Sequence, residues 1–258
     1  NSKAKFFQID ILDDLNKVFK KEKFDAVIHN AALIDVVESK LKPELYEKVN
    51  IEGTINLLEH CRKFNVKKFI YASSNAIYGN PKYLPCDESH PKNPVNPYGK
   101  TKLKAENEII KYSDKYGMNY IILRYSNIYG PRQNPFKGGV IIKFLNNAMN
   151  NKKLIINGGG KQTRDFLFVE DAALANILAL KAKNSIFNIG SGKAISINKL
   201  CEETKKLFNK KIEITHSKPL KEIKNTYLDI SLAKKAIQWQ PKTELEEGIK
   251  KTYLSFSS

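Results

Sequence analysis

The chain has 258 residues, 41% hydrophobic and 28% charged, enough to bury a core without disulfides or metals and too apolar for wholesale disorder. Its formal charge is +17, from 44 basic and 27 acidic residues, yet the only arginines are Arg62, Arg124, Arg132 and Arg164. Lysines scattered along almost every segment do not make a clustered nucleic-acid surface, so nucleic acid is set aside as a partner; the basic field still attracts anionic small molecules. Cys61, Cys86 and Cys201 are odd in number, far apart and without metal-ligand spacing, which implies a reducing compartment and no metal. The longest strongly apolar stretch, Ala172 to Leu180, contains Asn176 and is too short to span a bilayer. With no secretory signal opening the chain, the expected location is the cytoplasm, with no membrane partner.

In chain order, short β-branched or aromatic runs alternate with amphipathic stretches of helical length. Strands are predicted at Phe6–Ile9, Ala26–His29, Lys68–Ala72, Tyr120–Leu123 and Ile186–Ile189. Helices are predicted at Asp13–Lys20, Glu44–Phe64, Tyr98–Tyr116, Val140–Asn150, Glu170–Lys181, Ile197–Asn209, Leu232–Ile237 and Leu245–Phe256. The alternation implies an α/β fold, a doubly wound parallel sheet with crossover helices. Several strands run straight into polar or glycine-bearing loops, at His29-Asn30-Ala31-Ala32, Ser73-Ser74-Asn75 and Arg124 to Pro131, and such carboxyl ends are where ligands bind. After Gly130-Pro131 the texture turns to Pro, Asn and Gly. The expected division is a first domain at residues 1–131 with a return segment at 164–190, and a smaller α/β domain at 132–163 and 191–258.

The strongest local signal is Pro97-Tyr98-Gly99-Lys100-Thr101-Lys102. A Tyr and a Lys four apart on a helix share one face, and an ammonium beside a phenol favours the phenolate, making Tyr98 a general-base candidate. Chance alone supplies about two such pairs in a chain this rich in lysine, and Tyr78 with Lys82 is another. Pro81 forbids a regular helix in that second pair, whereas Pro97 suits a helix start.

The run Phe69-Ile70-Tyr71-Ala72-Ser73-Ser74-Asn75-Ala76-Ile77-Tyr78-Gly79, followed by the Tyr98 motif, resembles the extended short-chain dehydrogenase/reductase family, and within it the NAD-dependent nucleotide-sugar epimerases. Further landmarks fall in order: Asp10-Ile11, His29 to Ala32, Asn50 with Gly53-Thr54, Arg124 to Pro131, Arg164-Asp165-Phe166, and Tyr227 to Ser231. The resemblance covers essentially the whole chain. It implies a Rossmann-like NAD-binding domain and a substrate-binding domain, joined as a homodimer through the Glu44–Phe64 and Tyr98–Tyr116 helices. It implies C4 epimerisation of a nucleotide sugar, a UDP-sugar of the UDP-glucose/UDP-galactose type, through a transient 4-keto sugar. Tyr98 would take the 4-hydroxyl proton, Lys102 would hold the cofactor ribose and depress the Tyr98 pKa, and Ser74 would bond the same sugar oxygen. Asp10 and Ile11 would flank the adenine, Ala31 and Ala32 would admit the pyrophosphate and ribose, and Asn50 would complete the NAD site. Asn127 and Arg164 would bind the diphosphate of the substrate, a task suited to the arginine fork.

Other polar residues read more plainly. His29 is expected to be a satisfied strand-end histidine, Asp171 a first-turn carboxylate near Arg164, Arg62 a surface residue, and Trp239 a packing anchor. The alternatives within the family are a dehydratase, decarboxylase or reductase. A dehydratase requires an acidic pair after the active-site hydroxyl, where this chain has Asn75-Ala76.

Two departures from the family pattern stand out. The glycine-rich G-x-x-G-x-x-G turn is not found in the first hundred residues, so the first βαβ unit is expected to be missing and the chain to be a fragment, with a shortened, non-catalytic sugar-nucleotide binder as the alternative. The second lies at Lys218-Pro219-Leu220-Lys221-Glu222, where Pro219 stands at a position usually held by arginine. Thr226, small at a position that gates the sugar 2-substituent, leaves room for an N-acetyl group.

Overall fold

A computed structural model describes residues 3–135, 138–208, 211–219 and 223–256. At its centre four parallel strands are ordered β1 (Ala26–His29), β2 (Lys68–Ser74), β3 (Asn119–Tyr125) and β8 (Ser185–Ile189), with β1 at one edge. In this register Ser73 pairs with Arg124 and Ser74 with Tyr125, so the polar ends of β2 and β3 lie side by side. Parallel strands buried on both faces read as continuous apolar runs, and Phe69, Ile70, Ile121, Ile122 and Leu123 are all fully buried.

One face packs against α1 (Asn16–Lys21), α4 (Gly53–Lys63) and α5 (Pro97–Tyr116), where Phe19, Leu58, Cys61, Ala105 and Ile109 meet Phe69, Tyr71 and Ile122. The other is covered by α7 (Val169–Ala179) and α9 (Ser231–Ile237), whose Ala172, Ala175 and Ala233 meet Ile70, Leu123 and Phe187. Trp239 is fully buried there, its indole N–H donating to the Asp171 carbonyl at 2.9 Å. A separate core lies among α6 (Val140–Met149), α8 (Ile197–Lys206), α10 (Leu245–Leu254), β5 (Leu154–Asn157) and β7 (Phe166–Phe168). Around it, β5 pairs in parallel with β10 (Ile214–Ser217), β7 with β4 (Asn127–Tyr129), and β6 (Thr163–Arg164) runs antiparallel to β9 (Ile195–Ser196).

Two expectations fail. Phe6–Ile9 is not a strand: no described strand lies beyond β1 to pair with it, and Phe6 is 87% exposed. A β-prone run needs a ladder to become a strand. The single helix expected over Glu44–Phe64 is three pieces, α3 (Pro43–Glu47), a π-helical turn at Lys48–Glu52, and α4, preceded by α2 (Val36–Leu41). The π turn surrounds Asn50, whose side chain is drawn inward. In the expected Ile197–Asn209 helix, Asn209 lies outside the described residues, as do Leu220, Lys221 and Glu222.

Candidate active site

Helix α5 starts where its sequence directs: the Asn96 side chain accepts from the Gly99 N–H at 2.8 Å, and Pro97 occupies the first turn, both favoured at a helix N-terminus. Ser74 ends β2 and caps a 3₁₀ turn, Asn75–Tyr78, with its Oγ accepting from the Ala76 N–H at 3.2 Å. Gly99 lets α5 lie on that turn, because a Cβ there would stand 2.7 Å from the Ala76 carbonyl oxygen. Gly79 leaves the turn at φ +66, with a Cβ position 1.8 Å from the Asn93 carbonyl oxygen, room that only glycine provides. This close packing brings the Ser74 hydroxyl close enough to Tyr98 to act on its ionisation.

Burial pushes the Tyr98 phenol above its ordinary range, and the nearby Ser74 hydroxyl works against that rise. The expected depression by Lys102 is not what the structure shows. Lys102 is 3% exposed, its Nζ donates to the Ala72 carbonyl at 2.7 Å, and it lies 4.7 Å above the Tyr71 ring. Burial pulls its pKa down to about 7, with the Glu106 charge holding it up, and its head group is aimed at backbone. His29 is buried beside it with Nε2 3.0 Å from Thr54 Oγ1; burial first, and the Lys102 charge second, push it down to about 4. Since Thr54 donates to the Asn50 carbonyl at 2.7 Å, neutral His29 donates to Thr54. It is the satisfied histidine expected from the sequence.

Asn50 is fully buried and fastens the loop after β1. Its Oδ1 accepts from the Leu33 N–H at 2.8 Å, and its Nδ2 donates to the Leu33 carbonyl at 2.9 Å and to Thr101 Oγ1 at 3.1 Å. Ala31 and Ala32 lie in the loop so fixed. Asp10 is exposed, its carboxylate accepting from the Leu12 N–H at 2.9 Å, while Ile11 packs on Gly53, leaving 2.6 Å between its Cδ1 and a Cβ built there.

Asn127 and Arg164 belong to a different place: both line a cavity of about 220 Å³ with Gln133, Asn157, Gln162 and Phe166. The Asn127 Nδ2 donates to the Asp165 carbonyl at 2.9 Å, and Arg164 Nη1 to the Thr163 carbonyl at 2.8 Å. Asp165 is fully buried and ties segments together, accepting from the Ser191 N–H at 2.6 Å and the Leu228 N–H at 3.2 Å. Asp171 does sit in a first helical turn, but its carboxylate accepts from the backbone N–H groups of Lys242 and Thr243, each at 3.0 Å. The first-turn position is as expected, and the carboxylate is spent on that anchoring.

Sequence reasoning missed a buried polar network behind the site. Glu106 takes both Nε (3.1 Å) and Nη2 (2.8 Å) of Arg124 and accepts from Ser73 Oγ at 2.5 Å. Arg124 Nη1 also donates to Tyr78 Oη at 3.1 Å and to the Glu88 carbonyl at 2.9 Å, and Tyr78 donates to Asn188 Oδ1 at 2.6 Å. Burial opposes the Arg124 cation, but Glu106 outweighs it and keeps the guanidinium above its ordinary range. A usable signal existed: Arg124 follows the apolar strand run Ile121-Ile122-Leu123, and Glu106 lies one turn beyond Lys102. A buried charge demands a partner.

A carboxyl-end site carrying Ser, Tyr and Lys on a doubly wound sheet defines a class of enzyme, and the comparisons agree with it. Residues 1–190 match the NAD dependent epimerase/dehydratase family, and the chain belongs to that family. It is 45% identical over 256 residues to a putative UDP-glucose 4-epimerase of Methanocaldococcus jannaschii, covering 97% of this chain and 83% of that relative. It is 35% identical to human dTDP-D-glucose 4,6-dehydratase, covering 96% and 73%. The crystal structure of a UDP-glucose 4-epimerase from Thermotoga maritima with UDP-glucose superposes with a TM-score of 0.95 at 35% identity, covering all of this chain and 85% of that one.

The residues present fit one end of a dinucleotide. An ammonium has three donors, and among the described residues Lys102 spends one, on Ala72, leaving two for ribose hydroxyls. A G-x-x-G-x-x-G turn, the usual pyrophosphate cradle, does not occur among the 258 residues.

Proposed function

We propose that this protein is an NAD-dependent nucleotide-sugar 4-epimerase acting on a UDP-sugar of the UDP-glucose/UDP-galactose type. The observation that carries the reading is the Tyr98 phenol, beside the Ser74 hydroxyl and one helical turn from buried Lys102, at the open ends of parallel strands. When bound, NAD supplies a reversible hydride acceptor beside the sugar. Tyr98 takes the C4 hydroxyl proton as C4 is oxidised and returns it when C4 is reduced on its other face. Ser74 donates its one hydroxyl proton to the C4 oxygen, where negative charge builds as the C4 hydroxyl proton leaves for Tyr98. Lys102 would hold the ribose through its two remaining donors, with Asp10, Ile11, Ala31 and Ala32 toward the adenosine half and Asn50 holding the loop between. Asn127 and Arg164 would take the substrate diphosphate at the mouth of the 220 Å³ cavity.

Asn75 and Ala76, first in the turn that Ser74 caps, favour epimerisation over dehydration, since neither supplies a proton donor or a base for eliminating water. Thr226, small and buried, leaves space at the sugar 2-position, so UDP-N-acetylhexosamines belong in the same substrate screen. Residues 1–131 with 164–190 form the cofactor domain in this reading, and 132–163 with 191–258 the substrate domain. A homodimer through the Glu44–Phe64 and Tyr98–Tyr116 helices is part of this reading; the groove there sets Ile51, Ile55 and Ile110 among Lys104, Asn107, Glu108 and Lys111. A reducing, cytoplasmic setting suits three buried free cysteines.

The test is interconversion of UDP-glucose and UDP-galactose by the protein supplied with NAD, followed by NMR of the sugar. Tyr98→Phe should lower kcat by about 10³-fold and leave UDP-sugar affinity within about twofold. Unchanged turnover in that variant removes Tyr98 from the role.

A further inference from the structure

We propose that Glu106, clamped by Arg124 and bonded to Ser73, is a positioning residue that fixes the end of β2 against α5 and thereby sets Ser74 on Tyr98; the inference rests on the reading of Tyr98 as the base.

Tyr98, Lys102 and Glu106 recur every four residues and so share one face of α5. Each meets one of the last three residues of β2: the Lys102 Nζ donates to the Ala72 carbonyl at 2.7 Å, Glu106 accepts from Ser73 Oγ at 2.5 Å, and Tyr98 lies beside the Ser74 hydroxyl that acts on its ionisation. The three ties differ in stiffness. A lysine head rotates on a flexible stem and the tyrosine–serine contact bears on single atoms, whereas Glu106 is gripped through both oxygens by a planar guanidinium. Arg124 in turn is the register partner of Ser73 on β3 and is itself held by Tyr78, the Glu88 carbonyl and, through Tyr78, Asn188 of β8. Three adjacent strand ends are thus locked around one carboxylate. A purely structural ion pair needs only Arg124 and Glu106; the Ser73 bond adds a rigid link to the residue next to Ser74. Facing Tyr98 are the Ser74 and Tyr71 hydroxyls of β2; facing Lys102 are His29 from β1, the Tyr71 ring from β2 and Glu106 from its own helix, which Arg124 of β3 holds.

Ser73→Ala removes that link, keeps every charge and leaves Glu106 with Arg124. Tyr98 ionisation is read as phenolate absorbance against pH, as the difference between each protein and the same protein carrying Tyr98→Phe. In Ser73→Ala the Tyr98 midpoint should rise by about one pH unit. The kcat at neutral pH should fall about 10-fold, KM staying within about twofold, and recover at alkaline pH. Ser73→Thr, which keeps the hydroxyl, should restore both. An unmoved midpoint with wild-type kcat in Ser73→Ala overturns the proposal. A moved midpoint in a protein that turns over no UDP-sugar supports the positioning role and counts against the functional reading alone.

Discussion

Replacing Lys102 with methionine should make the protein more stable at neutral pH while abolishing turnover. Lys102 titrates near 7 in the fold against an ordinary 10.5 because it is buried. The unfolded chain therefore binds the extra proton between these values, and wild-type stability rises with pH across that window. Below about pH 7 the penalty is complete: a gap of this size, at 1.36 kcal/mol per unit, amounts to about 5 kcal/mol. Methionine forfeits the bond to the Ala72 carbonyl and the contact with the Tyr71 ring, together worth about 2 kcal/mol. The net gain of about 3 kcal/mol corresponds to a melting temperature higher by about 6–12 °C for a chain of this length. Thermal and urea denaturation at intervals from pH 6 to pH 10, without added nucleotide, measures it. The advantage of Lys102→Met should be greatest at the acid end and shrink toward pH 10. A difference independent of pH, or a variant less stable than wild type at pH 7, refutes the reasoning.

His29 gives the complementary acid-side behaviour. Its folded pKa, pushed down to about 4 by burial first and by the Lys102 charge, lies below its unfolded value of 6.5. Its neutral form thus contributes stability present above pH 6.5 and lost as pH falls toward 4, in total about 3 kcal/mol; His29→Gln should flatten this part of the denaturation profile. Asp171→Ala should cost about 3 kcal/mol by stranding the Lys242 and Thr243 N–H groups, visible as a lower melting temperature and faster amide exchange at those two residues.

The central sheet was legible because buried parallel strands write themselves as apolar runs: β1, β2, β3 and β8 lie where Ala26, Lys68, Tyr120 and Ile186 open such runs. Phe6–Ile9 misleads because strand propensity says nothing about a neighbour. The short β4, β5, β6, β7, β9 and β10 carried too few residues for a period to show, and their partners are distant in sequence, as with Leu154 and Ile214. At the site, the grouping of Ser74, Tyr98 and Lys102 followed from their motifs. Charge state did not: burial places the Tyr98 phenol higher and the Lys102 ammonium lower than a solvent-exposed pair on a helix face would have them. Asn50 looked like a ligand contact, yet hydrogen-bonds Leu33 and Thr101. The Arg124–Glu106 pair spans two elements: the sequence marks each residue, and the fold shows that they meet.

The most direct test of the account follows the hydrogen on C4. UDP-glucose carrying deuterium at C4 is incubated with the protein and NAD, and the product sugar is read by NMR and mass spectrometry. The account expects UDP-galactose that retains deuterium at C4, since the hydride removed from that carbon is the one returned to it. Loss of the deuterium to solvent, or no product from a folded protein that binds both ligands, would contradict it.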